Sequence, residues 1–114
     1  QLRVAEAIKK TISEAFAKGE VYLKDIKSMV MVSEVTISAD LKNAIIYVYP
    51  IRGVENKELF LKAVKLLVPA LKKIIAVKVN LKYCPELHFR YDNTFEQVGK
   101  IEDILKKIKD ENIS

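Results

Sequence analysis

Positive charge is the first chemistry this chain offers. Between positions 65 and 90 the charged residues are Lys65, Lys72, Lys73, Lys78, Lys82 and Arg90, set against Glu86 alone. Six cations minus one anion is +5, the formal net charge of the whole chain, so the remaining residues sum to zero. Ammonium and guanidinium groups gathered in one stretch suit a polyanionic partner. Lysines that merely keep a small protein soluble are the rival reading, and composition alone does not choose between the two.

Groups suited to making and breaking bonds are few. Cys84 and His88 are the single cysteine and single histidine, four apart across Pro85. A thiol beside an imidazole can act as a nucleophile, but nothing else in the sequence supports that use, and a hydrogen-bonded or exposed histidine is the simpler reading. One Cys and one His are too few ligands for zinc. Gly19, Gly53 and Gly99 are too scattered to cradle a phosphate. Asp92-Asn93-Thr94 has the chemistry of a turn and a helix cap. The sequence therefore predicts no catalytic residue, no metal site and no cofactor.

The elements that position these residues follow from apolar spacing. Val4, Ala5, Ile8, Ile12, Ala15 and Phe16 recur every three or four positions, which predicts an amphipathic helix over 2–17 with Gly19 at its C-cap. After an irregular stretch, 29–38 alternates, with Met31, Ser33, Val35 and Ile37 expected on one face and Val32, Glu34 and Thr36 on the other. A turn at 40–43 leads to a second strand over 44–49, ended by Pro50 and Gly53, so the two strands read as an antiparallel hairpin. Asn56 is placed to cap a helix carrying Leu59, Phe60, Ala63, Val64 and Leu67. Pro69 interrupts it, because proline lacks a donor and its ring clashes with the preceding turn. A second helix then opens at Pro69 and carries Leu71, Ile74 and Ile75. Leu87, Phe89 and Tyr91 alternate with His88, Arg90 and Asp92 in a third strand entered at Pro85, with Tyr91 given a structural role on the apolar side. A last amphipathic helix carries Val98, Ile101, Ile104, Leu105 and Ile108.

The 114 residues are expected to form one domain spanning 1–114, and half of them are hydrophobic. Folding at this length buries roughly two-thirds of the unfolded surface, enough for a core without disulfides. The predicted core is Ile8, Ile12, Phe16, Val35, Ile37, Ile46, Val48, Val64, Leu67, Ile74, Leu87, Phe89 and Ile101. One cysteine fits a reducing cytoplasm. No apolar run reaches the ~18 residues of a membrane span, and Gln1-Leu2-Arg3-Val4 does not read as a secretory signal.

Four stretches, in order and spacing, resemble the ribosome-binding factor A family of bacteria. They are Arg3-Val4-Ala5-Glu6-Ala7-Ile8, the run from Val32 to Leu41 (VSEVTISADL), Ala44-Ile45-Ile46-Tyr47-Val48, and the run from Pro85 to Thr94 (PELHFRYDNT). The resemblance covers nearly the whole chain. It implies an α+β, type II KH-like fold, ordered α-β-β-α-kink-α-β with an additional C-terminal helix, whose three-stranded sheet is covered on one face by helices. It also implies a non-catalytic cytoplasmic monomer that binds the 16S rRNA of the free 30S subunit. Such a factor assists late maturation, including processing of the rRNA 5′ end, and supports growth in the cold. Small-subunit proteins and an assembly GTPase are candidate further partners. A general KH-like RNA-binding or protein-interaction module is the alternative, because a fold alone does not fix a function.

The chain departs from the family at two places. The family's usual Ala-x-Gly kink is replaced by Leu67-Val68-Pro69, and its Asp-Pro-Arg after the first helix by Asp25-Ile26-Lys27. A helix opened by Pro69 would present free N–H groups to phosphate, with Lys72 and Lys73 in its first turn. Lys65, Lys78, Lys82 and Arg90 would extend the track. Six such phosphate contacts correspond to a log–log salt slope of roughly −4 to −5. Without a Gly-x-x-Gly clamp, the expected target is a folded rRNA surface rather than a short single-stranded word. Tyr83 is a candidate stacking residue.

Overall fold

The computed structural model describes residues 2–23, 29–51 and 56–94. Helix α1 (Leu2–Ala17) has the expected phase: Ala5, Ile8, Ile12, Ala15 and Phe16 are buried, while Arg3, Glu6 and Lys10 are exposed. Thr11 also enters the core, and its hydroxyl donates to the Ala7 carbonyl at 2.8 Å, so the buried oxygen keeps a partner. The helix closes as the sequence indicates. Gly19 adopts φ 73°, its N–H reaches the Phe16 carbonyl at 3.3 Å, and the Glu20 N–H reaches that of Ala15 at 2.9 Å. This crossed pair satisfies carbonyls that the helix itself leaves free.

Strands β1 (Val30–Ile37) and β2 (Asn43–Pro50) form the antiparallel hairpin, and β3 (Glu86–Tyr91) lies parallel to β2, giving the order β1-β2-β3. The connection from Ser38 to Asn43 is held by its own side chains. The Ser38 hydroxyl donates to Asp40 at 2.6 Å, and Asp40 accepts the Lys42 N–H at 3.0 Å. These bonds hold the Asp40 carboxyl below its ordinary pKa, the Ser38 bond most of all.

The face assignment for β1 needs correction. Val30 and Val32 are buried and Met31 is exposed, the reverse of the expected phase, yet Val35 is buried as expected. A bulge explains both: pairing runs from Val32↔Val48 to Glu34↔Tyr47, so Ser33 is an extra residue and alternation changes phase across it. Pro50 also differs from expectation. It is the last residue of β2, buried and paired with Val30, where a missing N–H is tolerated at the strand's end.

Helix α2 (Lys57–Lys65) begins at the predicted cap, with the Asn56 side chain accepting the Leu59 N–H at 3.1 Å. It stops four residues before Pro69, the position whose carbonyl a proline ring would strike. Leu66 and Leu67 stay right-handed, and the Leu67 N–H turns back to Val64 at 3.0 Å. Helix α3 (Val68–Val79) follows with Pro69 in its first turn and ends at Asn80 in the left-handed conformation, φ 54°. The junction thus bends by a tightened right-handed turn and a proline, with no positive φ from Leu66 to Pro69.

Helix α1 packs on β1 and α3, and α2 packs on β3. Ala44, Ile46, Val48, Leu87 and Phe89 are buried beneath them, whereas Glu86, His88 and Arg90 are exposed. One face of the sheet is therefore covered, and the other is open among the described residues. Of the expected core, Ile8, Ile12, Phe16, Val35, Ile46, Val48, Val64, Leu87 and Phe89 are buried, while Ile37, Leu67 and Ile74 pack partly buried at its edge. Phe60, Leu71 and Ile75 are fully enclosed instead, each stabilising the fold by about 1.5–3 kcal/mol. The expected final helix, with Val98, Ile101, Ile104, Leu105 and Ile108, lies outside the described residues.

Candidate nucleic-acid interface

The cations do not form one continuous track. Lys65, Lys72, Lys73 and Lys78 belong to the two-helix unit, with Lys65 at the last residue of α2 and the others on α3. Arg90 sits on β3 between buried Phe89 and half-buried Tyr91, so its side chain leaves from the open face of the sheet. Lys82 lies in the connection before β3, its ammonium 5.7 Å from the centre of the exposed Tyr83 ring.

The helix lysines differ in how far they are committed. The Lys72 ammonium donates to Glu86 at 2.9 Å, linking α3 to the start of β3. Lys78 reaches Glu20 at 3.4 Å, linking α3 to the segment after α1. Such partly exposed pairs contribute little to stability, but each places a carboxylate beside the cation and reduces its pull on a phosphate. Lys65 and Lys73 are exposed and have no ion-pair partner among the described residues. Lys62, which the sequence reading passed over, shares that state; its place on the outward side of α2, one turn before Lys65, was the available signal.

Helix α3 begins at Val68, so its first turn is 68–71, and Lys72 and Lys73 lie beyond it, a correction to the expected placement. Leu67 makes no capping side-chain bond and Pro69 has no N–H, so this terminus offers fewer donors than an ordinary one. What surrounds the junction is apolar. A groove of about 500 Å³ is lined by Tyr22, Ala63, Leu66, Leu67 and Ala70, together with Glu20 and Val21. Leu66 is 79% exposed and Tyr22 72%.

Cys84 and His88 are engaged separately. His88 Nε2 lies 2.9 Å from Asn43 Oδ1. Cys84 is half-buried beside a second groove of about 540 Å³ between the hairpin turn and the connection before β3. Burial pushes its thiol pKa up, away from the thiolate a nucleophile needs. Tyr91 has the expected structural role: its ring meets Phe60 edge to face at 5.8 Å, and the Lys57 ammonium stands 4.9 Å from its centre. Asp92 Oδ1 accepts the Thr94 N–H at 2.9 Å, the turn chemistry expected of this stretch. No described helix is long and apolar enough to cross a membrane.

Comparison with known proteins agrees with the resemblance. The family model for ribosome-binding factor A matches residues 1–105. A ribosome-binding factor A from Rhodopseudomonas palustris is 36% identical over 107 residues, covering 93% of this chain and 77% of the relative. One from Ruegeria pomeroyi is 42% identical over 101 residues, covering 86% and 75%. The crystal structure of ribosome-binding factor A from Thermus thermophilus superposes with a TM-score of 0.65 at 21% identity, covering 79% of this chain and 92% of that one. A Thermus thermophilus homology model fitted into a cryo-EM map of a complex with 30S gives 0.66 at 20% identity, covering 82% and 96%. These structures share the α-β-β-α-α-β order and the mixed three-stranded sheet. The family is named for binding a ribosome rather than for a reaction, and the reading of the chain as a non-enzyme stands. This chain is a member of the ribosome-binding factor A family.

Proposed function

We propose that this protein binds the free 30S ribosomal subunit through its 16S rRNA and assists late maturation of that subunit, including processing of the rRNA 5′ end. The observation that carries the reading is the family match over residues 1–105. The Thermus relative fitted into a 30S complex supports the choice of subunit. Work in the cytoplasm, as a monomer, with a role in growth in the cold, belongs to the same reading, and small-subunit proteins and an assembly GTPase are its candidate further partners.

Contact falls to the helix side of the molecule. Lys65 and Lys73, which have no ion-pair partner among the described residues, supply positive charge, and Lys62 adds to it. Lys72 and Lys78, each held by a carboxylate, contribute less, Lys82 with Tyr83 extends the surface, and Arg90 serves from the other face. Charge of this kind gives salt-dependent attachment; the shape of the folded rRNA gives the position.

Sedimentation tests the reading. The protein should co-sediment with free 30S subunits and be largely absent from whole ribosomes. Equal binding to both, or to neither, would overturn it.

A further inference from the structure

The outward side of the paired helices carries a pattern that charge does not explain. Leu59, Lys62, Leu66, Ala70, Lys73 and Val77 follow one another at spacings of three or four, the interval that keeps residues on one helical face. All six are exposed, and three are sizeable apolar residues: Leu59 is 58% exposed, Leu66 79% and Val77 82%. The right-handed conformation of Leu66 and Leu67 carries the line across the junction. Ala70 within it and Pro69 and Ala76 beside it are short and exposed, so the backbone of α3 can approach a surface closely.

We infer that this ridge is the contact for the minor groove of an A-form rRNA helix, the apolar side chains resting on ribose and the lysines reaching phosphates on either side. The inference rests on rRNA being the partner and names the feature of it that is read. Three arguments select this occupant. The A-form minor groove is wide and shallow, and it displays riboses with their 2′-hydroxyls, so it offers carbon surface as well as charge. An α-helix about 10–12 Å across lies along such a groove without entering deeply. Lys62 and Lys73 stand within the line, and no carboxylate does. Protein-binding patches are depleted of lysine, whereas nucleic-acid interfaces are rich in positive charge.

The test uses the full chain and a blunt RNA duplex of about 16 base pairs, the length one double-strand-binding domain spans, beside a DNA duplex of the same sequence. The variant Leu66→Gln with Val77→Gln alters no charge, and both positions are exposed, so the fold should be retained in circular dichroism. Wild type should prefer the RNA duplex. The double variant should bind RNA about tenfold more weakly, with its salt slope and DNA affinity unchanged. A second variant, Lys62→Gln with Lys73→Gln, should make the RNA salt slope shallower by about two. RNA binding unchanged by Leu66→Gln with Val77→Gln would overturn the inference. Loss of 30S sedimentation with duplex binding intact would assign the ridge to a protein and overturn it equally. If wild type fails to sediment with 30S subunits, the proposed function falls, whatever the duplex assays show.

Discussion

The Ser33 hydroxyl donates to Asp92 Oδ2 at 2.5 Å, joining residues 59 positions apart that flank opposite sides of β2. Ser33 is the bulged residue of β1, and Asp92 follows directly on β3. The bulge turns what would have been an ordinary position on the strand into the anchor of a bond over the central strand. Asp92 also accepts from the Thr94 backbone, so one carboxylate ties β1 to the end of β3 and shapes the chain's departure from β3.

Ser33→Ala should lower stability at neutral pH by about 0.5–1 kcal/mol, the worth of a hydrogen bond to a charged group reduced for partial exposure. The bond to Ser33, followed by those to Thr94, holds the Asp92 carboxyl below its ordinary value of 3.8. A lowered native pKa gives stability that is present above the unfolded value and lost as pH falls through the native one. The gap between wild type and Ser33→Ala, read from urea midpoints, should therefore be full at pH 7 and shrink on acidification. A gap independent of pH would show that the carboxylate is not the acceptor that matters.

This pair also marks where sequence reading stopped. Strict alternation put Val35 and Ile37 on the right face, but an inserted residue leaves no trace in hydropathy, so Met31 and Val32 came out reversed. In α3 the difficulty was different: apolar residues surround nearly the whole helix, leaving no single stripe to fix its phase. The spacing predicts Ile74 in the core, whereas Leu71 and Ile75 are the enclosed residues and Ile74 packs partly buried at the edge. Caps were legible at Gly19 and Asn56, because each depends on one residue's own conformation or side chain. The separation of Arg90 from the helix lysines was visible in its alternation with Phe89 and Tyr91, although summing charge along the chain concealed it.

Gly19→Ala isolates backbone strain from packing. A Cβ at Gly19 would meet nothing within 4 Å, so any loss comes from φ 73° alone. Thermal or urea unfolding should show a cost of about 1–2 kcal/mol, the penalty of the left-handed conformation for an L-residue. Gly19→Asn should cost less, since asparagine tolerates that region better. Equal losses for Ala and Asn would contradict this account.

Pro69 restrains the unfolded chain as well as ending α2. Pro69→Ala returns an N–H and removes the ring, but Phe60 and Val64 on one side and Leu71 and Ile75 on the other hold the two helices in place. The fold should therefore survive, with stability lowered by about 0.4–1 kcal/mol through greater freedom of the unfolded state. Pro69→Gly should cost roughly a further 0.5–1 kcal/mol. Urea titration with unchanged m-values would show that the compact state is preserved; a marked rise in helix signal for Pro69→Ala would show that packing does not hold the bend.

Free and paired lysines should differ in RNA binding. Lys65→Gln with Lys73→Gln removes two cations that have no carboxylate partner among the described residues. Lys72→Gln with Glu86→Gln removes one cation and the anion bonded to it, leaving the net charge unchanged. If each free lysine meets one duplex phosphate, the first variant should make the slope of log affinity against log salt shallower by about 1.8, at 0.9 for each contact. The second should alter that slope by less than half as much, because the pair presents no net charge at long range. Filter binding of duplex RNA across a salt series reads both slopes. A change of about 0.9 in the second variant, half that of the first, would mean that Glu86 releases Lys72 on binding, making the ion pair a resting position for a contact residue rather than a reason to discount it.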